Sequence, residues 1–150
     1  SRLIALCFLE NLAKTVEPIE RDNMFPTSSE LLQTLSALSD AYEQALGTND
    51  LEKLDSFFYD GPEVVRYGVG ENLYGAEQIA AFRRARQGGS PPRTVLRRSI
   101  TPLSSHVAVI SLEFQRQGSQ SIGRQTQTWI NTNTGWKIIV AHVSMMKEYS

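Results

Sequence analysis

The 150-residue sequence has one cysteine, Cys7, and two histidines, His106 and His142. A lone cysteine excludes an intramolecular disulfide and any cysteine-built metal cage. Neither histidine sits in a chelating motif, so no metal is expected. Long apolar runs are missing as well. The longest near the start, Leu3 to Leu9, falls far short of the roughly 18 to 20 residues that cross a bilayer. No A-x-A-like cleavage site follows it, so neither a signal peptide nor a membrane partner is expected, and a cytoplasmic protein is the default. Lysine is also scarce where positive charge is densest. Residues 61–124 contain nine arginines, four acids and no lysine, a net +5, whereas residues 1–60 carry eleven acids against four bases, a net −7. The arginines are scattered without a basic run in a chain of total charge −1, which favours a small anion over nucleic acid as the partner.

Apolar residues make up 41% of the chain, enough for the core of one domain. Thr27-Ser28-Ser29-Glu30 has capping-box spacing. Leu31, Leu35, Leu38, Tyr42, Ala45 and Leu46 then recur on one helical face until Gly47. Asp50 is placed to cap a short helix, Leu51 to Phe58, which Asp60-Gly61-Pro62 ends. A strand is expected from Val64 to Tyr67 and a third helix from Ala76 to Arg86, broken by Gln87-Gly88-Gly89-Ser90-Pro91-Pro92. From Arg93 the period changes from helical to alternating. Thr94 to Ile100, Val107 to Arg116, Ile122 to Asn131 and Trp136 to Met146 read as four strands joined by short turns. The expected fold class is α+β, a curved, mostly antiparallel sheet wrapped around about three helices to form a cone. Residues 1–26 read as an N-terminal extension compatible with a helix, and residues 27–150 as the domain.

Between β-like and helical stretches, Arg66-Tyr67-Gly68-Val69-Gly70-Glu71-Asn72-Leu73-Tyr74-Gly75 gathers a guanidinium, two phenols and a carboxylate around three glycines. Arginine and tyrosine recognise carboxylates and flat polar ligands, so this stretch reads as a pocket wall. Arg66 follows the apolar pair Val64-Val65, and an arginine entering a core must be paired or face a cavity. A ligand carboxylate is the favoured partner, an internal acid the alternative. Tyr42 lies on the apolar face of the first helix, where it either packs or turns its hydroxyl into the cone. Arg83, Arg84 and Arg86 read mostly as a solvated helix face, with at most one or two reaching a pocket. Trp136, Ile138, Val140, His142 and Ser144 alternate onto one strand face, which sets His142 and Ser144 at the polar end of an apolar row.

Gly75-Ala76-Glu77-Gln78-Ile79-Ala80-Ala81-Phe82 and Gly135-Trp136-Lys137-Ile138-Ile139-Val140-Ala141-His142-Val143-Ser144 resemble the SnoaL-like, cystatin-like branch of the nuclear-transport-factor-like superfamily. Tyr42 with Thr48-Asn49-Asp50, Arg66-Tyr67-Gly68, Glu71-Asn72-Leu73-Tyr74-Gly75, Phe82-Arg83-Arg84-Ala85-Arg86, Gly123-Arg124-Gln125-Thr126-Gln127-Thr128-Trp129 and Ala141-His142-Val143-Ser144 are more specifically similar to the AtzH-like family, which includes the HpxZ proteins of oxalurate catabolism. The resemblance spans about residues 30–146. It implies a dimeric cone that handles carboxylated ureas, with cofactor-independent decarboxylation of the dicarboxyurea-to-allophanate type as the enzymatic expectation. A non-catalytic small-acid-binding accessory protein is the alternative. Tyr42 and Arg66 are the expected catalytic pair. Tyr74, Glu71, Arg124, Gln127, Trp129, His142 and Ser144 are expected to contact the substrate. The homodimer is expected to form through the outer face of the sheet with Val143 and Met145 central, unless residues 1–26 cover that face.

Overall fold

A computed structural model of the chain describes Arg2 and residues 17–147. The helical reading of residues 1–26, with Cys7, therefore lies largely outside the described residues, of which 17–26 contain one short turn at Arg21–Asn23. Three helices follow: α1, Ser29–Gly47; α2, Leu51–Phe57; and α3, Ala76–Ala85. Six strands are β1, Val65–Tyr67; β2, Asn72–Tyr74; β3, Arg93–Pro102; β4, Val107–Arg116; β5, Ile122–Thr132; and β6, Gly135–Met145. They form one sheet in the order β2-β1-β6-β5-β4-β3, antiparallel throughout except for the parallel pair β1 and β6. The α+β class and the curved sheet are as expected. Among the described residues no helix is long and apolar enough to cross a membrane.

Local chemistry explains most boundaries. Asp50 accepts from the Lys53 N–H at 3.1 Å and starts α2 as anticipated. At α1 the cap is Ser28, not Thr27. Its hydroxyl accepts from the Leu31 N–H at 3.4 Å, which moves Glu30 one position too early to close a capping box. Strand β2 escaped the sequence reading because three residues are too few to show alternation.

The inner face of the sheet carries Arg66 and Leu73 from the short strands, Ala141 and Val143 from β6, Gln125, Gln127 and Trp129 from β5, and Ile110, Leu112 and Phe114 from β4. Helix α1 lays Leu35, Tyr42 and Ala45 against this face, and α2 adds Leu54 and Phe57, all buried. Gly123 in β5 is required by close approach: any side chain there would overlap the ring of Phe114, which is itself fully buried.

Two register shifts bend the sheet, one at Leu96 and one at Ile139. The second overturns the single-face reading of the last strand. Trp129 pairs with Ile138 but Thr128 pairs with Val140, so Ile139 is an extra residue and the alternation slips by one. Ile138 faces the core, whereas Val140, His142 and Ser144 face outward. By the same shift Val143 and Met145 belong to the inner face, opposite Gln125 and Gly123, and are not the centre of an outer-face dimer contact.

Candidate functional site

The open end of the cone holds a cavity of about 200 Å³ between α1, α3 and the sheet. Tyr42, Arg66 and Glu71 line it together with Arg83, Arg86, Arg93, Arg116, Gln125, Phe82 and Val143. Its volume lies below the usual range for drug-sized ligands and equals about six or seven water volumes at roughly 30 Å³ each, so it suits a small molecule. A larger groove of about 690 Å³ lies outside, between α2 and α3, and is open to solvent. The smaller cavity is the stronger candidate because buried donors without partners belong to its lining: the Nε atoms of Arg66, Arg86 and Arg116.

The β1–β2 turn builds the Arg66 end. Gly68 donates its N–H to the Glu71 carbonyl at 2.9 Å and returns the chain. A side chain at Gly68 would occupy the position of the Glu71 carboxylate, so glycine is what lets that carboxylate fold back over the turn. There it accepts from Arg66 Nη1 at 2.9 Å and from the Gly70 N–H at 3.2 Å. Arg66 thus has an internal acid partner, contrary to the favoured expectation. Glu71 takes only Nη1, however, and Nε remains buried with no partner. One edge of the guanidinium is left for a second carboxylate.

Tyr42 is 2% exposed, its ring held edge-on by Phe57 at 5.7 Å and tilted against Phe58 at 6.4 Å. Its hydroxyl bonds to no described residue, and the residue lines the cavity. Across from it, Arg93 makes a forked pair with Glu43, with Nε at 3.0 Å and Nη2 at 2.5 Å. Its Nη2 also donates to Gln125 Oε1 at 2.6 Å. Arg83, 4% exposed, pairs with Asp55 at 3.1 Å and lies over the Phe58 ring. Arg86 and Arg116 have no acidic partner among the described residues. Burial, then the nearby guanidiniums of Arg66 and Arg83, lower the pKa of Arg86 from its usual value.

The other expected contacts lie elsewhere. Tyr74 is 51% exposed on the outer face, its hydroxyl 3.3 Å from that of Tyr67, which raises its pKa. His142 is outward and stands edge-on to Tyr67 at 5.7 Å. Arg124 and Ser144 are register partners on that same outer face. Gln127 and Trp129 do face inward but are sealed in the core, where the indole N–H donates to Gln127 Oε1 at 3.1 Å. Gln125, one step nearer the open end, takes the place at the cavity that was assigned to Gln127. Alternation marked the face but not the depth. Arg83 on α3 and Arg86 just past its end both reach the cavity, more than the mostly solvated face expected of this triplet, while Arg84 between them is exposed.

A model of the AtzH-like family matches residues 27–149. The chain belongs to the AtzH-like family. A protein of unknown function from Pectobacterium atrosepticum is 42% identical, with 87% of this chain and all of that one covered and a TM-score of 0.78. A cystatin-like fold protein from Burkholderia xenovorans is 34% identical over 81% of this chain and 96% of its own, with a TM-score of 0.77. A putative ketosteroid isomerase from Parabacteroides distasonis, at 16% identity, 85% and 98% coverage and a TM-score of 0.65, shares the fold. No curated protein matches the chain. For this AtzH-like protein the fold and family are consistent with a small-molecule-binding or enzyme-like cavity.

Proposed function

We propose that this AtzH-like protein binds a small carboxylate in the cone and removes carbon dioxide from an N-carboxylated urea without a cofactor, in the manner of dicarboxyurea going to allophanate. The observation that carries this reading is the unfilled Nε edge of Arg66 in the same small cavity as the Tyr42 hydroxyl, which bonds to no described residue. Arg66 orients the substrate by its carboxylate. In the reaction the N–C bond breaks, carbon dioxide leaves, and the bonding pair stays on nitrogen and spreads into the urea carbonyl. The phenol of Tyr42 gives its proton to that nitrogen as the charge develops, and water then reprotonates the phenolate. Phe82 and Leu46 on the cavity wall exclude water from the reacting carboxylate, which favours loss of neutral carbon dioxide. The test is carbon dioxide release from a panel of carboxylated ureas. Faster release with protein than without it is expected; tight binding of the panel with no release would instead favour the accessory role in oxalurate or urea-derivative catabolism.

The proposal includes a cytoplasmic homodimer paired through the outer sheet face. Support for the pairing comes from that face itself, where Val107, Val109, Ile130 and the 42%-exposed Val140 interleave with threonines and serines. Sedimentation equilibrium should give twice the chain mass, and Val140→Glu should shift it to the single-chain mass. A wild-type protein that sediments as a monomer would remove the dimer.

A further inference from the structure

Five guanidiniums line the cavity, and three carboxylates compensate three of them: Glu71 for Arg66, Asp55 for Arg83 and Glu43 for Arg93. Asp55 is further shared with Arg84 at 2.9 Å. Among the described residues, Arg86 and Arg116 remain without an acid. They sit in different surroundings: Arg86 faces Arg66, Arg83, Glu71 and Tyr42, whereas Arg116 is the register partner of Arg93 and lies near the Phe114 ring at 6.0 Å.

We propose that Arg86 is the charge-selecting residue of the cavity, the group that holds the anionic part of the ligand while Arg66 sets its orientation. The proposal rests on the small-carboxylate reading above but not on decarboxylation. Arg66 is the natural first choice for this task, yet Glu71 already neutralises it, and a ligand carboxylate approaching Arg66 alone would meet the repulsion of Glu71. Arg86 supplies the missing charge. It follows the last residue of α3 with its backbone N–H bonded to the Phe82 carbonyl, and its guanidinium lies 5.4 Å from the centre of the Phe82 ring. Arg66 lies 5.8 Å from the same ring. One aromatic platform therefore positions both cations at one end of the cavity. The Nε of Arg86 is buried with no partner. A confined cation beside two others, with no acid of its own, destabilises the empty protein, and an anionic ligand relieves that cost.

This gives two readouts of opposite sign. Thermal melting and calorimetry use sodium malonate as the probe and malonamide as its uncharged isostere, at constant ionic strength. Wild type should be stabilised by malonate and not by malonamide. Arg86→Gln should melt without malonate at or above the wild-type temperature, and bind malonate roughly ten- to hundredfold more weakly, the loss expected for one charge-assisted hydrogen bond. Arg86→Lys should restore part of the affinity, and Arg116→Gln should cost severalfold less affinity than Arg86→Gln. Unchanged malonate affinity in Arg86→Gln, failure of that variant to fold, or a larger loss in Arg116→Gln would each overturn the assignment. So would a wild type that responds equally to malonate and malonamide. A protein that binds malonate through Arg86 but releases no carbon dioxide from carboxylated ureas would refute the decarboxylase and leave this inference standing.

Discussion

Replacing Tyr42 by phenylalanine is expected to lower carbon dioxide release from an N-carboxylated urea by roughly 10²- to 10⁴-fold, the usual contribution of a positioned proton donor. Binding should change by no more than ~1 kcal/mol, the worth of one neutral hydrogen bond. The separation of the two effects is what makes the variant informative. The hydroxyl bonds to no described residue, so its removal leaves no orphaned group in the protein, and the ring keeps its contacts with Phe57 and Phe58. The melting temperature should therefore stay close to that of wild type. An interaction made only as charge develops on the leaving nitrogen lowers kcat and kcat/KM together. Single-turnover carbon dioxide release, measured beside calorimetry with malonate, reads both quantities. Wild-type turnover in Tyr42→Phe would remove the proton-donor role, and a matching loss of binding would reduce the residue to a ligand contact.

The fold was legible because its signals are strong and redundant. Alternation over seven or more residues marked each of the long strands, and the seven-residue spacing from Leu31 to Leu38 to Ala45 marked α1. The site was legible only where local sequence determines geometry. Arg66 and Glu71 are brought together by a tight turn that their own glycines make possible, and Tyr42 lies on a helix face whose burial the periodicity gives. Residues on the long strands were misplaced for two physical reasons. The extra residue at Ile139 inverts the faces of everything after it, which sent His142 and Ser144 to the wrong side, and a bulge leaves no mark in an apolar run such as Ile138-Ile139-Val140. Depth along the cone is set by how strands stagger across the sheet, and alternation carries no information about it. That is why Gln127 and Trp129, correct in face, are core residues, and why Arg93, Arg116 and Gln125 were missed. The signal that could have found the arginines was their number: nine in 64 residues with four acids is more cation than surface ion pairs with those acids can balance.

That excess makes Glu43 more consequential than an ordinary acid on a helix. It accepts both arms of a fork from Arg93, whose side chain is 7% exposed, while its own is 17% exposed. Glu43→Gln keeps the shape and one acceptor but leaves the Arg93 charge with no carboxylate, only uncharged acceptors and the Phe114 ring beside it. Removing one member of a buried pair costs about 3 to 5 kcal/mol, and the retained acceptor puts the expected loss near the lower end, about 3 kcal/mol in urea unfolding. The same change adds a third uncompensated guanidinium to the cavity. Malonate should then bind Glu43→Gln more tightly than wild type and recover part of the lost stability, since a ligand that binds only the folded state stabilises it in proportion to its occupancy. Replacing both partners, Glu43→Leu with Arg93→Met, should return the stability without malonate close to wild type, because two buried charges are exchanged for apolar volume. It should also bring no gain in malonate affinity, because the extra cation is gone. If the single variant unfolds at the wild-type urea concentration, Glu43 is not the counter-ion that Arg93 requires; if it loses stability without gaining malonate affinity, Arg93 does not contribute to the field that the ligand meets.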